Sequence, residues 1–141
     1  MRLCSFLSLS AMSYEYPERH PTPEGREEPR FWSARVKDYH RVSYVERGDK
    51  DSSRTIICVH GFTRNGHDFD FLAKRLSQGA RVVCPDLPGR GRSDWLSDPT
   101  EDKGYNYSQY MLDATALIAR LGVPEVDWVG TSYLISAPSS S

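Results

Sequence analysis

Three short runs in this chain hold the residue types that acyl transfer needs. At residues 130–132 an apolar run ends in Gly130-Thr131-Ser132. A serine on the sharp turn after a strand has its hydroxyl lifted above the sheet, and the N–H of the next residue, Tyr133, serves beside it as an oxyanion donor. At residues 60–62 another apolar run ends in His60-Gly61-Phe62. Gly61 allows a tight turn that points backbone N–H groups into a cleft, and such donors stabilise the oxyanion of a tetrahedral intermediate. His60 itself reads as a loop-shaping residue, not a catalytic base. The third run is Asp86-Leu87-Pro88-Gly89-Arg90-Gly91-Arg92-Ser93-Asp94. A dinucleotide fingerprint needs a third glycine where Asp94 stands, and a nucleotide triphosphate loop needs a Gly-Lys-Ser that is not here. The run therefore reads as a shaped loop, with Asp86 bonding nearby backbone amides. The alternative is a small anion- or nucleotide-binding module that uses the loop from Gly89 to Ser93, with Arg90 and Arg92 as its cations.

The elements around these runs set where they sit. Residues 31–36 and 40–46 are aromatic and β-branched, with Lys37-Asp38 to turn between them, which predicts a β-hairpin. Residues 55–59 form a continuous apolar run, 82–84 a second short buried strand and 126–129 a third. Continuous apolarity marks strands covered on both faces, as in a parallel sheet. Between the first two, Phe69, Leu72, Ala73 and Leu76 fall on one helical face after a cap at Asn65 or Gly66. Between the last two, Ser108 is the expected cap of a helix whose stripe is Tyr110, Ala114, Leu117 and Leu121, with Gly122 and Pro124 ending it. Strand, helix, strand, helix, strand is the order of an α/β fold with right-handed crossovers. In such sheets the loops at the carboxyl ends of the strands carry function, and all three runs are such loops.

Composition narrows the class. The 141 residues are 38% hydrophobic and 26% charged, with a formal net charge of -1, as in an ordinary globular protein. Lys and Arg are not clustered, so neither nucleic acid nor an anionic membrane is an expected partner. No apolar run approaches the roughly 18–20 residues of a membrane span. The three cysteines, Cys4, Cys58 and Cys84, make neither a disulfide framework nor a zinc site. Cys58 and Cys84 read as buried free thiols, which points to a cytoplasmic location. Residues 1–30, with Pro17, Pro21, Pro23 and Pro29 among Glu and Arg, read as a flexible extension. Export through a poor signal at residues 1–12 is the alternative to a start at Met12.

Taken together and in this order, His60-Gly61-Phe62, the Asp-x-Pro-Gly-x-Gly-x-Ser run from Asp86 to Ser93, and Val129-Gly130-Thr131-Ser132 resemble the α/β-hydrolase family. The resemblance covers residues 30–132. It implies a partial α/β-hydrolase fold at residues 31–134, with an opening β-hairpin, parallel strands and crossover helices, and with later strands missing. It also implies roles. Ser132 would be the nucleophile, and the N–H groups of Phe62 and Tyr133 would form the oxyanion hole. A serine, where dehalogenase and epoxide-hydrolase relatives carry aspartate, implies cleavage of a small acyl substrate through an acyl-enzyme, without cofactor or metal.

Three departures qualify that expectation. The family pattern continues Gly-x-Ser-x-Gly, and Leu134 stands where the second glycine is expected, in a crowded and strained turn. Residues 135–141 form a divergent tail that is not the helix expected behind the serine. In the family, the triad acid and histidine follow the serine in chain order, whereas residues 133–141 hold neither. His20, His40, His60 and His67 all precede Ser132. The expectation is a truncated chain, inactive by itself, whose last strand has an open and aggregation-prone edge.

Overall fold

The computed structural model describes residues 29–35, 38–96 and 105–131. The opening hairpin joins β1 (Arg30–Ala34) to β2 (Tyr39–Arg47) in antiparallel register. Its turn is closed by the Arg35 N–H donating to the Asp38 carbonyl at 2.8 Å; Lys37 lies outside the described residues. β3 (Thr55–Val59) is buried at every position, as its unbroken apolarity predicts. After β3 a 3₁₀ turn (Gly66–Phe69) runs into α1 (Asp70–Leu76). β4 (Arg81–Pro85), α2 (Tyr107–Leu121) and β5 (Asp127–Gly130) complete the order.

The sheet order is β1-β2-β4-β3-β5. β2 pairs antiparallel with β4, while β4, β3 and β5 are mutually parallel through β3. From β3 the chain crosses to β4 on one side; from β4 it crosses back over β3 to β5 on the other. Crossovers of one hand in opposite directions put their helices on opposite faces. The core divides accordingly. Ile57 and Val59 pack with Tyr110, Leu117, Ile118 and Leu121 of α2, whereas Ile56 and Cys58 pack with Phe69 and Ala73 on the α1 face. That alternation is the two-residue period of a strand. β3 is therefore the point where connections diverge, and the crevice at the carboxyl ends of the strands opens beside it.

The helices differ in detail from the sequence expectation. Asn65 caps the first one, its side chain accepting the His67 N–H at 3.0 Å. Phe69 and Ala73 are buried, but Leu72 is left 40% exposed. In α2 the cap is Asn106, not Ser108, because its Oδ1 accepts the Gln109 N–H at 2.9 Å. The far end closes on Gly122 in the left-handed region, φ 66°. Cys58 and Cys84 are free and buried, as expected.

Candidate active site

β3 and β5 end side by side. Val59 pairs with Gly130, and the Thr131 N–H donates to the Val59 carbonyl at 3.2 Å. The segment leaving β3 is His60-Gly61-Phe62, so it starts beside Gly130-Thr131 at the same end of the sheet. Phe62 is 46% exposed there. Ser132 and Tyr133, the expected nucleophile and second donor, lie outside the described residues, as does Leu134.

His60 organises this end. Its ring is fully buried. Its Nε2 accepts the Leu87 N–H at 2.9 Å, so the ring proton sits on Nδ1, which donates to the Gly61 carbonyl at 2.7 Å. Burial pushes the imidazole below its ordinary pKa, keeping it neutral as the acceptor role requires. The Gly61–Phe62 peptide is planar and trans. Its N–H, that of Phe62, therefore points opposite to the carbonyl that His60 holds, away from the buried ring. The sequence reading of His60 as a loop-shaping residue agrees with this geometry.

Asp86 does for the next loop what the sequence suggested. Its Oδ1 accepts the Gly66 N–H at 2.7 Å and its Oδ2 accepts the Arg92 N–H at 3.0 Å. The Ser93 hydroxyl donates to the Asp86 carbonyl at 2.7 Å and accepts the Ser43 N–H at 2.9 Å. Asp94 grips Arg41, with guanidinium contacts of 3.0–3.2 Å. Burial opposes the charged form of Asp94, but the hydrogen bonds from Arg41 outweigh it and hold the carboxyl below its ordinary pKa. Most backbone donors that the anion-binding alternative would use are engaged within the protein. The N–H groups of Gly89, Arg90 and Ser93 donate to Asp94, Leu87 and Arg90 carbonyls, and that of Arg92 to Asp86. Arg90 is turned to the protein as well: its Nε donates to the Phe62 carbonyl at 2.6 Å and its Nη1 to the Pro88 carbonyl at 2.7 Å. Four of the five N–H groups from Gly89 to Ser93 are thus spent on the protein itself.

A buried polar cluster went unread in the sequence. The Ser33 hydroxyl donates to Asp113 at 2.6 Å, His40 Nε2 lies 3.1 Å from the same carboxylate, and Gln109 donates to it at 2.9 Å. Serine and histidine both contact the acid and not each other, so no base activates the serine. All four side chains are buried, and the cluster ties the β1–β2 hairpin to α2. The signal was available: Asp113 stands three residues after Tyr110 and four before Leu117, a charge on the apolar stripe of α2.

Among the described residues, no group of three or more His, Cys, Asp and Glu is placed to hold a metal ion. No described helix is long and apolar enough to cross a membrane. An apolar cavity of about 40 Å³ lies under α2, lined by Val59, Leu87, Tyr110, Met111, Leu117 and Trp128 among others.

Comparison with known proteins fits this architecture. Residues 54–133 match the family model described as alpha/beta hydrolase fold. A 3-hydroxybutyrate-oligomer hydrolase from Cupriavidus necator is 53% identical over 93 residues, covering 66% of this chain and 31% of that protein. A non-heme chloroperoxidase from Burkholderia pyrrocinia is 31% identical over 69% of this chain and 33% of its own length. A solved alpha/beta hydrolase from Novosphingobium aromaticivorans superposes with a TM-score of 0.67 at 36% identity, over 77% of this chain and 36% of that one. The chain thus spans about a third of the length of the curated relatives it matches.

Proposed function

We propose that this chain, which belongs to the α/β-hydrolase family, carries the nucleophile and the oxyanion loop of a serine esterase acting on esters of short hydroxy acids. Ser132 attacks the acyl carbonyl, the alcohol leaves, and water then releases the acid from the acyl-enzyme. The N–H groups of Phe62 and Tyr133 hold the oxyanion in both steps, and one such donor contributes roughly 10²- to 10³-fold in kcat. The pairing of Val59 with Gly130 supports this reading, because it starts the two donor-bearing turns from neighbouring points. The small-ester substrate is supported by the 53% identity to a 3-hydroxybutyrate-oligomer hydrolase.

The mechanism needs a histidine to take the Ser132 proton and a carboxylate to orient it. Neither follows Ser132 within residues 133–141, so both must be supplied from outside them. The 141-residue chain alone is proposed to be inactive. The test is hydrolysis of 3-hydroxybutyrate dimer and p-nitrophenyl butyrate by the protein that carries this chain, with fluorophosphonate labelling. Turnover and label lost together in Ser132→Ala support the reading; turnover that survives Ser132→Ala overturns it. Turnover by residues 1–141 alone, abolished by Ser132→Ala, overturns the inactivity of the isolated chain.

A further inference from the structure

We infer that Arg90 is a positioning residue for the oxyanion loop, fixing Phe62 so that its N–H stands ready for developing negative charge. The inference rests on the serine-esterase reading and extends it to a residue outside the two oxyanion donors. Phe62, Thr63 and Arg64 are all exposed, so packing does not hold this turn. Two anchors do. His60 and the Arg64 N–H converge on the Gly61 carbonyl, at 2.7 and 3.1 Å, and fix the peptide before Phe62. Arg90 Nε donates to the Phe62 carbonyl at 2.6 Å and fixes the peptide after it. With both peptide planes held, neither backbone dihedral of Phe62 is free.

Arg90 suits that task. Its guanidinium lies 4.3 Å from the Phe62 ring centroid and 5.5 Å from that of Tyr105, within the range of a cation–π contact. Its Nη1 also reaches the Pro88 carbonyl at 2.7 Å and the Tyr110 hydroxyl at 3.3 Å. Its own backbone is bonded to Leu87 and Ser93, and the Tyr105 hydroxyl accepts the Leu96 N–H at 3.0 Å. The planar, multi-donor head grips one exposed turn from a stiff base, a geometry that an ammonium cannot reproduce. A donor that needs no reorganisation acts on the transition state more than on substrate binding, so the effect belongs in kcat.

The experiment compares the wild type, Arg90→Ala and Arg90→Lys in the protein that carries this chain, with p-nitrophenyl butyrate as substrate. Arg90→Ala is expected to lower kcat about tenfold with KM changed less than about twofold. Arg90→Lys recovers only part of the loss. Added guanidinium ion at millimolar concentration restores kcat in Arg90→Ala and does nothing for wild type. In parallel, the backbone order parameter of Phe62 is expected to fall in Arg90→Ala from about 0.85 toward 0.6, a readout independent of turnover. An unchanged order parameter overturns the inference, and so does a rise in KM at constant kcat. A wild type that neither turns over ester nor takes fluorophosphonate on Ser132 sinks the esterase reading and the catalytic effect with it. In that case the order parameter alone decides whether Arg90 holds Phe62.

Discussion

His60 Nε2 accepts the backbone N–H of Leu87 at 2.9 Å, so a single buried imidazole joins the loop after β3 to the loop after β4. Its Nδ1–H is committed to the Gly61 carbonyl. Replacing the ring by a methyl group leaves a buried donor on Leu87 and empties space among close-packed neighbours. An unsatisfied buried group costs about 1–3 kcal/mol, and the cavity adds to it. Chemical denaturation of His60→Ala is expected to show a loss of about 3 kcal/mol. A loss under about 1 kcal/mol would mean that water replaces the ring without penalty.

The same residue sets a pH dependence. Burial depresses the His60 pKa in the folded protein below its ordinary 6.5. Below that value the unfolded chain binds a proton that the folded protein resists, so unfolding gains. The contribution of His60 is full above about 6.5 and is lost as pH falls from there toward the depressed folded value. Stability measured by urea denaturation should decline through this window in wild type and decline less in His60→Gln. Parallel slopes in the two proteins would assign the decline to other groups.

Gly91 and Asp86 should be energetically coupled. A Cβ on Gly91 would stand 2.2 Å from an Asp86 carboxylate oxygen, and Gly91 has a φ of 52°. Gly91→Ala therefore meets a collision as well as a left-handed conformation that an L side chain adopts at a cost of about 1–2 kcal/mol. In an Asp86→Ala background the collision is gone and the conformational cost alone remains. A double-mutant cycle is expected to return a coupling of about 1 kcal/mol or more between the two sites. Strict additivity would show that the carboxylate moves aside freely.

Asp113 holds together three buried partners, Ser33, His40 and Gln109. Removing the shared acceptor strands Ser33 and His40, whereas Gln109 keeps its bond to the Ala34 carbonyl at 3.1 Å, and removing Ser33 alone strands little. Each buried polar group left without a partner costs about 1–3 kcal/mol, so Asp113→Ala, which strands two, is expected to lose about 2–5 kcal/mol and Ser33→Ala about 1 kcal/mol. Thermal melts of the two variants check it. Equal losses would show that the network is not centred on the carboxylate.

The sheet and its chemistry-bearing loops were legible for different reasons. Residues 56–59 and 82–84 are apolar without interruption, as a doubly covered strand requires, and both lie in β-strands. The Asp86 anchor was legible because a short carboxylate beside glycines has backbone amides as its nearest donors. Arg90 was not legible: its partners, the Phe62 carbonyl and the Tyr105 and Tyr110 rings, come from other segments that only the folded chain assembles. The same holds for the Asp113 cluster, where Ser33 and His40 are brought in by the hairpin. The helical face was legible at Phe69 and Ala73, four residues apart and both buried, but Leu72 stands 40% exposed, and nothing in the periodicity marks it.

Cys58 and Cys84 give a probe of how the central strands open. They follow the Ile57–Val83 pair on adjacent parallel strands, and both are buried on the α1 face. The neighbouring Cys58 thiol, together with burial, pushes the Cys84 thiol far above its ordinary pKa. Only the thiolate reacts with a disulfide reagent, and neither thiol is reachable without parting α1 from the sheet. Labelling of the peptides holding Cys58 and Cys84, followed by mass spectrometry, is expected to be absent in the native protein over minutes and complete in denaturant. Intermediate denaturant should release both at the same rate, because one opening event exposes them together. Rapid labelling of Cys58 alone would show instead that β3 and the α1 face part before the sheet unfolds.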